Sequence, residues 1–518
     1  MLLLSMLACT ASAPSAVDSA DADAAVTCDP VTLQLVQSWG VDDLPNRNEY
    51  LHRRPGLAVG DLDGDDDLDV LMAYGGGSMA LTNDGGVLTV DEGITVDGGV
   101  IPAGAAAALA DLDGDGDLDA FLGQQWETAD SILLNDGSGA FTSVPLAGSG
   151  ASPSGGVFGD LDGDGDLDLV VGRLQESPDP DLIVSGDEVG DGVDLYFNDG
   201  LGSFTLDNSG LPDGVSIAMV WETELVDVDL DGDLDLYLAN DFGPWLVKNQ
   251  LLLNDGSGRF TASPDCFCDL AMYAMGSTVA DVNDDGAPDL YLTDIAGPNL
   301  LVSQGDGTFF DGTLAYGADI PPEERNMSSW GVLFTDIDAD MDLDIAMMFG
   351  RLGRHSDFVK ELDESWVDGE EQDDVLLLGD GSGGFVRADE VGFTDPERGR
   401  LVVAADLDGD GRHELLTSGK HFLKVWRREG GCENTLTVAL SEGSGNPHGI
   451  GAKVRVQVGD RVVTQWMLPG GTASSSAMEL YFGLGNASAA GSVEVTWLDG
   501  RTTTATDVAA GSRLVLEP

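Results

Sequence analysis

Residues 111–119 read DLDGDGDLD, five carboxylates at alternate positions of one short loop. Like charges packed that closely repel one another unless a cation sits among them. The pattern recurs seven times: DLDGDDDLD from Asp61, DLDGDGDLD from Asp111 and again from Asp160, DVDLDGDLD from Asp227, DVNDDGAPD from Asp281, DIDADMDLD from Asp336 and DLDGDGRHE from Asp406. Self-similarity at such spacing is the mark of a repeat architecture, in which each unit buries its apolar face only against its neighbours.

A second motif follows most copies: NDGG at Asn83, NDGSGAF at Asn135, NDGLGSF at Asn198, NDGSGRF at Asn254, GDGTF at Gly305 and GDGSGGF at Gly379. Asn-Gly and Asp-Gly between apolar runs form tight hairpin turns, because the central positions favour positive φ. Before each acidic loop lies a strand of small or apolar residues, such as PAGAAAALAD or SPSGGVFGD, and after it a second, such as LDAFLG or LDLVVG. The turn joins a third strand to a fourth. The expected fold is therefore all-β: a seven-bladed β-propeller over residues 31–431, with the small-residue strand innermost where space is tightest. Residues 432–518 alternate strand and turn and are expected to form a small β-sandwich-like domain.

Ring closure is expected to use the N-terminus. The last unit ends at HFLKVWRREGG without an outer partner, and VTLQLVQSWGV from Val31 resembles the missing strand. Cys28 and Cys432 would then lie close together, and they read either as a disulfide that locks the ring in an oxidising compartment or as two unrelated thiols. Cys266 and Cys268, in DCFCDL, read either as a local disulfide or as free thiols.

The loop chemistry follows from the spacing. Around a calcium ion, hard oxygen ligands come from alternate residues of a loop that wraps it. The expected ligands at the first position are Asp61, Asp111, Asp160, Asp227, Asp281, Asp336 and Asp406; at the third, Asp63, Asp113, Asp162, Asp229, Asn283, Asp338 and Asp408. The fifth position supplies Asp65, Asp115, Asp164, Asp231, Asp285, Asp340 and Asp410; the ninth supplies Asp69, Asp119, Asp168, Asp235, Asp289, Asp344 and Glu414. The seventh holds Asp67, Asp117, Asp166, Asp233, Ala287, Asp342 and Arg412, so it is expected to offer its backbone carbonyl. Up to seven Ca2+ ions are implied. Magnesium suits such a loop less, since it keeps its waters. Carboxylate-pair hydrolysis needs a single site with a raised pKa, not seven copies.

Composition narrows the partners. With 93 acidic against 23 basic residues and a formal charge of -70, the chain is too acidic to bind nucleic acid or an anionic membrane directly. Residues 1–30 read as an export signal and tether: a short apolar run precedes Cys9, which resembles a bacterial lipobox cysteine, although no Lys or Arg occurs before Arg47. The expected location is extracellular or at the cell surface, lipid-anchored, with a lipid on Cys9 as the membrane contact; a cleaved secretion signal is the alternative. A monomer is expected.

These repeats resemble the FG-GAP or VCBS repeats of integrin-α-type β-propellers, whose loops bind calcium. The tail resembles the ASPIC/UnbV domain in NPHGIGAKVRV at Asn446, LPGGTASSSAMELYFGLG at Leu468 and VEVTWLDGRTTT at Val493. A propeller followed by such a tail is similar to the arrangement in the cartilage acidic protein family and its bacterial relatives. The loop from Asp336 departs from the pattern, with Ala339 and Met341 where glycines are expected, and should load its ion last. Strand alternation leaves the second-to-third connections to the opposite face, where insertions starting at Gly172 and Gly350 carry Arg173, Arg351, Arg354, Lys360 and Trp366; they read as a ligand-binding face, as the resemblance also implies, or as tolerated surface insertions.

No G-x-S-x-G elbow, HExxH, P-loop or dinucleotide fingerprint occurs, and the five histidines form no ligand pair at helical spacing. The function expected is a calcium-binding adhesion or binding module for an extracellular protein or glycan. An enzyme, or an enzyme accessory acting on extracellular polymers, is the alternative.

Overall fold

A computed structural model describes residues 28–40, 55–75, 77–91, 93–124, 128–149, 152–174, 189–295, 297–321, 327–350, 372–419, 422–443, 445–468 and 474–518. The fold is all-β, as the repeat pattern predicts. Among the described residues, seven sheets each hold four antiparallel strands in spatial order. The first runs Gly56–Gly60, Asp69–Ala73, Met79–Asn83, Leu88–Asp91, and the fourth Met219–Val226, Asp235–Asp241, Gln250–Asn254, Phe260–Ala262. The acidic loop always joins first strand to second, and in the first six sheets an Asn-Gly, Asp-Gly or related turn joins third to fourth.

The first strands touch one another in sequence around a closed cycle, and that of the seventh sheet, Gly399–Ala405, meets that of the first. Their residues are almost all buried, and small ones are required where neighbouring first strands come closest. A Cβ on Gly276 would lie 2.5 Å from the carbonyl oxygen of Trp330, and one on Gly331 would lie 2.5 Å from that of Arg400. Neighbouring first strands thus approach backbone to backbone, which only glycine permits. Between the sheets, alternating apolar residues interlock, as with Leu57, Val70 and Leu81 against Leu416 and Leu423 at the ring junction.

The N-terminal strand Asp29–Trp39 pairs antiparallel with Leu423–Gly431 and forms the outer edge of the seventh sheet. Cys28 is bonded to Cys432, with Cα atoms 4.9 Å apart, and Cys266 is bonded to Cys268. The tail contributes a three-stranded sheet (Thr435–Leu440, Leu480–Gly483, Ser512–Leu516) and a four-stranded one (Lys453–Val458, Arg461–Trp466, Ala489–Thr496, Thr502–Ala509) around its own core.

One expectation is corrected. Arg173 is not a free cation of the opposite face: it is buried, with Nη1 2.5 Å from Asp130 and Nε 2.8 Å from Asp194, tying the second sheet to the third. Cys9 and residues 1–27 as a whole lie outside the described residues, as do Arg351, Arg354, Lys360 and Trp366, while the last three residues of the expected export segment belong to the fold.

Candidate metal centres on one face of the ring

Each acidic loop is organised by its own carboxylates. Asp111 accepts the backbone N–H of Gly114 on Oδ1 and that of Gly116 on Oδ2, and in every loop the first residue's Oδ2 takes the N–H of the sixth. The fifth residue's Oδ1 accepts the N–H of the seventh in all seven copies. These bonds curl the main chain round a common centre.

The ninth residue does more than the spacing shows. Asp119 starts the second strand, fully buried, and takes Leu112 N–H on one oxygen and Asn135 N–H on the other, at 2.9 and 2.8 Å. The same double clamp, from the loop's second residue and from the hairpin turn, holds Asp69, Asp168, Asp235, Asp289 and Asp344. Glu414 replaces the turn's N–H with the Arg427 guanidinium at 2.8 Å. Burial pushes Asp69 and Asp119 up to about 7 and Asp168, Asp235 and Asp289 up to about 8. A site of buried carboxylates held against ionisation is one that a cation would relieve.

The third position supplies the sharpest test of fit. Oδ1 of Asp63, Asp113, Asp229 and Asp408 is buried and accepts no hydrogen bond. An unsatisfied buried carboxylate oxygen is costly, and ligation satisfies it. One oxygen each from Asp61, Asp63 and Asp69 lies within 4.8 Å of the others. So do those of Asp111, Asp113 and Asp115, of Asp160, Asp162 and Asp164, of Asp227, Asp229 and Asp235, and of Asp336, Asp338 and Asp344. An all-oxygen, carboxylate-rich donor set on a wrapping loop fits Ca2+.

Side chains at the seventh position serve the fold. A Cβ on Gly137, Gly200 or Gly256 would strike the carboxylate of Asp117, Asp166 or Asp233, so these acids lie against the hairpin turns. Arg412 pairs with Asp410 at 2.8 Å and Glu433 at 3.4 Å. Ala287 is buried.

The sixth loop differs because the tail covers it. Ala339 and Met341 adopt φ of 57° and 82°, a conformation taken by glycines at both positions in the second, third and seventh loops and by Asp66, Leu230 and Asp284 at one position in the first, fourth and fifth. Each such L-residue costs roughly 1–2 kcal/mol. Met341 offsets its share by packing into the tail's core with Leu436, Val456 and Phe482, and burial of such a side chain contributes about 1.5–3 kcal/mol. Around it, Gly483 N–H donates to Asp336 Oδ2 at 3.1 Å, Cys432 N–H to Asp338 O at 2.6 Å and Gly485 N–H to Ala339 O at 3.0 Å. Arg461 reaches Asp342 at 2.5 Å.

The tail lies over the loop face as a whole. Ser474–Ser475 pairs in parallel with the inner strand Gly56–Gly60, Tyr481 accepts the N–H of Asp406, and Trp466 packs beside Val226 and Leu290. The tail also walls a cleft of about 700 Å3 against the first, second and seventh loops, lined by Asp67, Asp117, Asp410, His448 and Arg513. His448 faces this cleft, and burial lowers its pKa.

Family models agree with this anatomy. The model of the FG-GAP-like repeat matches residues 111–171 and 227–292, and that of ASPIC and UnbV matches residues 442–518. The chain carries FG-GAP-like repeats followed by an ASPIC and UnbV domain. It is 28% identical over 291 residues to cartilage acidic protein 1 of Xenopus tropicalis, covering 52% of this chain and 40% of that protein. The human protein of that name is 29% identical over 278 residues, with 52% and 39% covered. The chain thus matches about two fifths of the length of these relatives. Among solved structures, an Agrocybe aegerita lectin specific for non-reducing terminal N-acetylglucosamine aligns with a TM-score of 0.42 at 17% identity, covering 71% of this chain and 91% of the lectin. Saccharomyces cerevisiae Sqt1 aligns with a TM-score of 0.43 at 9% identity, covering 77% and 99%. The FG-GAP-like matches take in the acidic loops from Asp111, Asp160, Asp227 and Asp281, and the ASPIC and UnbV match takes in most of the tail that covers the loop face.

Proposed function

We propose that the chain is an extracellular calcium-loaded ring that acts as a binding or adhesion module for a protein or glycan, and not as an enzyme. The observation that carries the calcium reading is the set of buried third-position oxygens, Asp63, Asp113, Asp229 and Asp408 Oδ1, which accept no hydrogen bond at the centre of loops built wholly from oxygen donors. Calcium would be held by the carboxylates at positions one, three, five and nine and would offset their repulsion, giving a rigid ring. Two disulfides and the resemblance to cartilage acidic protein 1 support an oxidising, extracellular setting.

A rigid β-ring with stabilised loops is a scaffold that presents surfaces, and its acidity favours neutral or basic ligands. The direct test is a screen of immobilised glycans and extracellular proteins in calcium and in chelator, run beside a turnover assay on the same polysaccharides and peptides. Saturable calcium-dependent binding without turnover is expected. Turnover would establish the enzymatic alternative instead.

A further inference from the structure

We propose that the cleft between the tail and the first, second and seventh loops is a binding site for a small organic amine, held through its ammonium groups. The proposal rests on the reading of the chain as a binding module and names the ligand chemistry of one site.

The roof of the cleft is the outer face of the tail's three-stranded sheet. On the strand Thr435–Leu440, residues Leu436, Val438 and Leu440 enter the tail's core, so Thr435 and Thr437 face the other way and line the cleft. They are only 8% and 5% exposed, yet among the described residues neither hydroxyl makes a hydrogen bond. His448 lines the same cleft, and its Nδ1 is buried without a hydrogen bond. Buried polar groups are nearly always paired, so three unpaired ones around a single cavity point to a ligand.

The floor supplies the charge. Asp66 and Asp117 stand at the sixth and seventh loop positions, whose side chains the calcium reading leaves free, and both line the cleft. Neither carboxylate accepts a hydrogen bond among the described residues. Asp66 is also out of pattern. Five of the other six loops place glycine there, with φ between 84° and 101°, and the sixth loop has Met341, which packs into the tail's core. Asp66 takes the left-handed conformation at φ 70° and remains exposed.

Arg513 is the one cation among the described lining residues, and Glu479 already pairs with it at 2.5 Å. The cleft therefore offers acceptors and negative charge, which a donor-rich cation complements. Its volume of about 700 Å3 suits a small molecule. One ammonium group donates to the acids of the floor, and further N–H groups reach the hydroxyls and imidazole of the roof.

The test titrates spermidine, glucosamine and glucose into the full chain by calorimetry. Calcium at about 10 mM keeps the loops loaded, and about 0.15 M salt screens general attraction to the acidic surface. One saturable site per chain for an amine, and none for glucose, is expected. Spermidine alone would name a free polyamine as the source of the ammonium groups, and glucosamine an amino sugar. Thr437→Val keeps shape and charge, and Asp66→Gly restores the glycine of the other loops. Each should weaken the amine about tenfold while calcium-dependent melting persists. Equal affinity in wild type and both variants, or many weak sites per chain, would mean attraction to the surface as a whole and overturns the proposal. So does glucose binding as tightly as glucosamine, or no amine binding at all. In each case calcium-dependent melting and the screen of glycans and proteins still decide the broader reading on their own.

Discussion

Asn83 and Leu407, 324 residues apart, are joined by a 2.7 Å hydrogen bond from the side-chain amide of the first to the carbonyl of the second. The same bond links each of the next three sheets to its predecessor: Asn135 to Leu62, Asn198 to Leu112 and Asn254 to Leu161. The Asn of the hairpin turn is therefore a staple between sheets, and at Asn83 it closes the ring. Removing Asn83 leaves the buried Leu407 carbonyl unpaired, so Asn83→Ala should cost about 1–3 kcal/mol in denaturant unfolding, whereas Leu161 O keeps the N–H of Gly258 at 2.8 Å and Asn254→Ala should cost less. A neutral Asn83→Ala would show that the turn needs only its backbone shape.

The disulfide between Cys28 and Cys432 fixes the outer strand of the seventh sheet. Cys28→Ser should lower stability by about 2–4 kcal/mol, and a reductant should have the same effect on the wild-type protein but little further effect on the variant. Equal melting of variant and wild type under oxidising conditions would count against a closing role.

Glu224 lies on the inner strand Met219–Val226 and accepts a hydrogen bond from Ser277 Oγ at 2.7 Å. Burial, and then the nearby Glu222, push its carboxyl up to about 8 from an ordinary 4.5. Between those values the folded chain holds more protons than the unfolded one. Its contribution is therefore full below the unfolded pKa and falls as pH rises through 8, by about 1.4 kcal/mol per pH unit at most. Glu224→Gln should match wild type near pH 5 and exceed it in melting temperature near pH 8. Parallel pH curves for the two proteins would show that Glu224 is not held protonated.

Met341→Gly relaxes the positive φ but removes a side chain from the tail's core. Large-to-small changes in a core typically cost about 2–5 kcal/mol, more than the relief of one left-handed residue. The variant should be destabilised, with hydrogen exchange rising first at Lys453–Val458 and Leu480–Gly483. A more stable variant would mean that the tail does not support this loop.

Much of this was legible in the sequence, and the limits are physical. Seven loops, the hairpin turns and the orphan strand from Val31 are local patterns, and they specify strand order directly. The link between the two motifs was hidden, because Asp119 binds the main chain of Asn135, which any residue can supply. Arg173 reads as a free cation in sequence because its partners Asp130 and Asp194 are 43 and 21 residues away. The missing glycines at 339 and 341 are plain in the sequence, but the packing that supports them comes from residues after 430. Nothing in the repeat pattern shows that the tail lies over the loops.

The central claim, that the acidic loops are cation sites on which the ring depends, is tested most directly by the melting temperature of the full chain as a function of free calcium at constant ionic strength. For a dissociation constant of about 10⁻⁴ to 10⁻³ M, each occupied site adds roughly 1.4–2.7 kcal/mol at about 10 mM calcium. The account predicts a steep, saturable rise that magnesium does not reproduce at equal concentration, and a fall in chelator. A melting temperature that is the same in millimolar calcium and in chelator would contradict it.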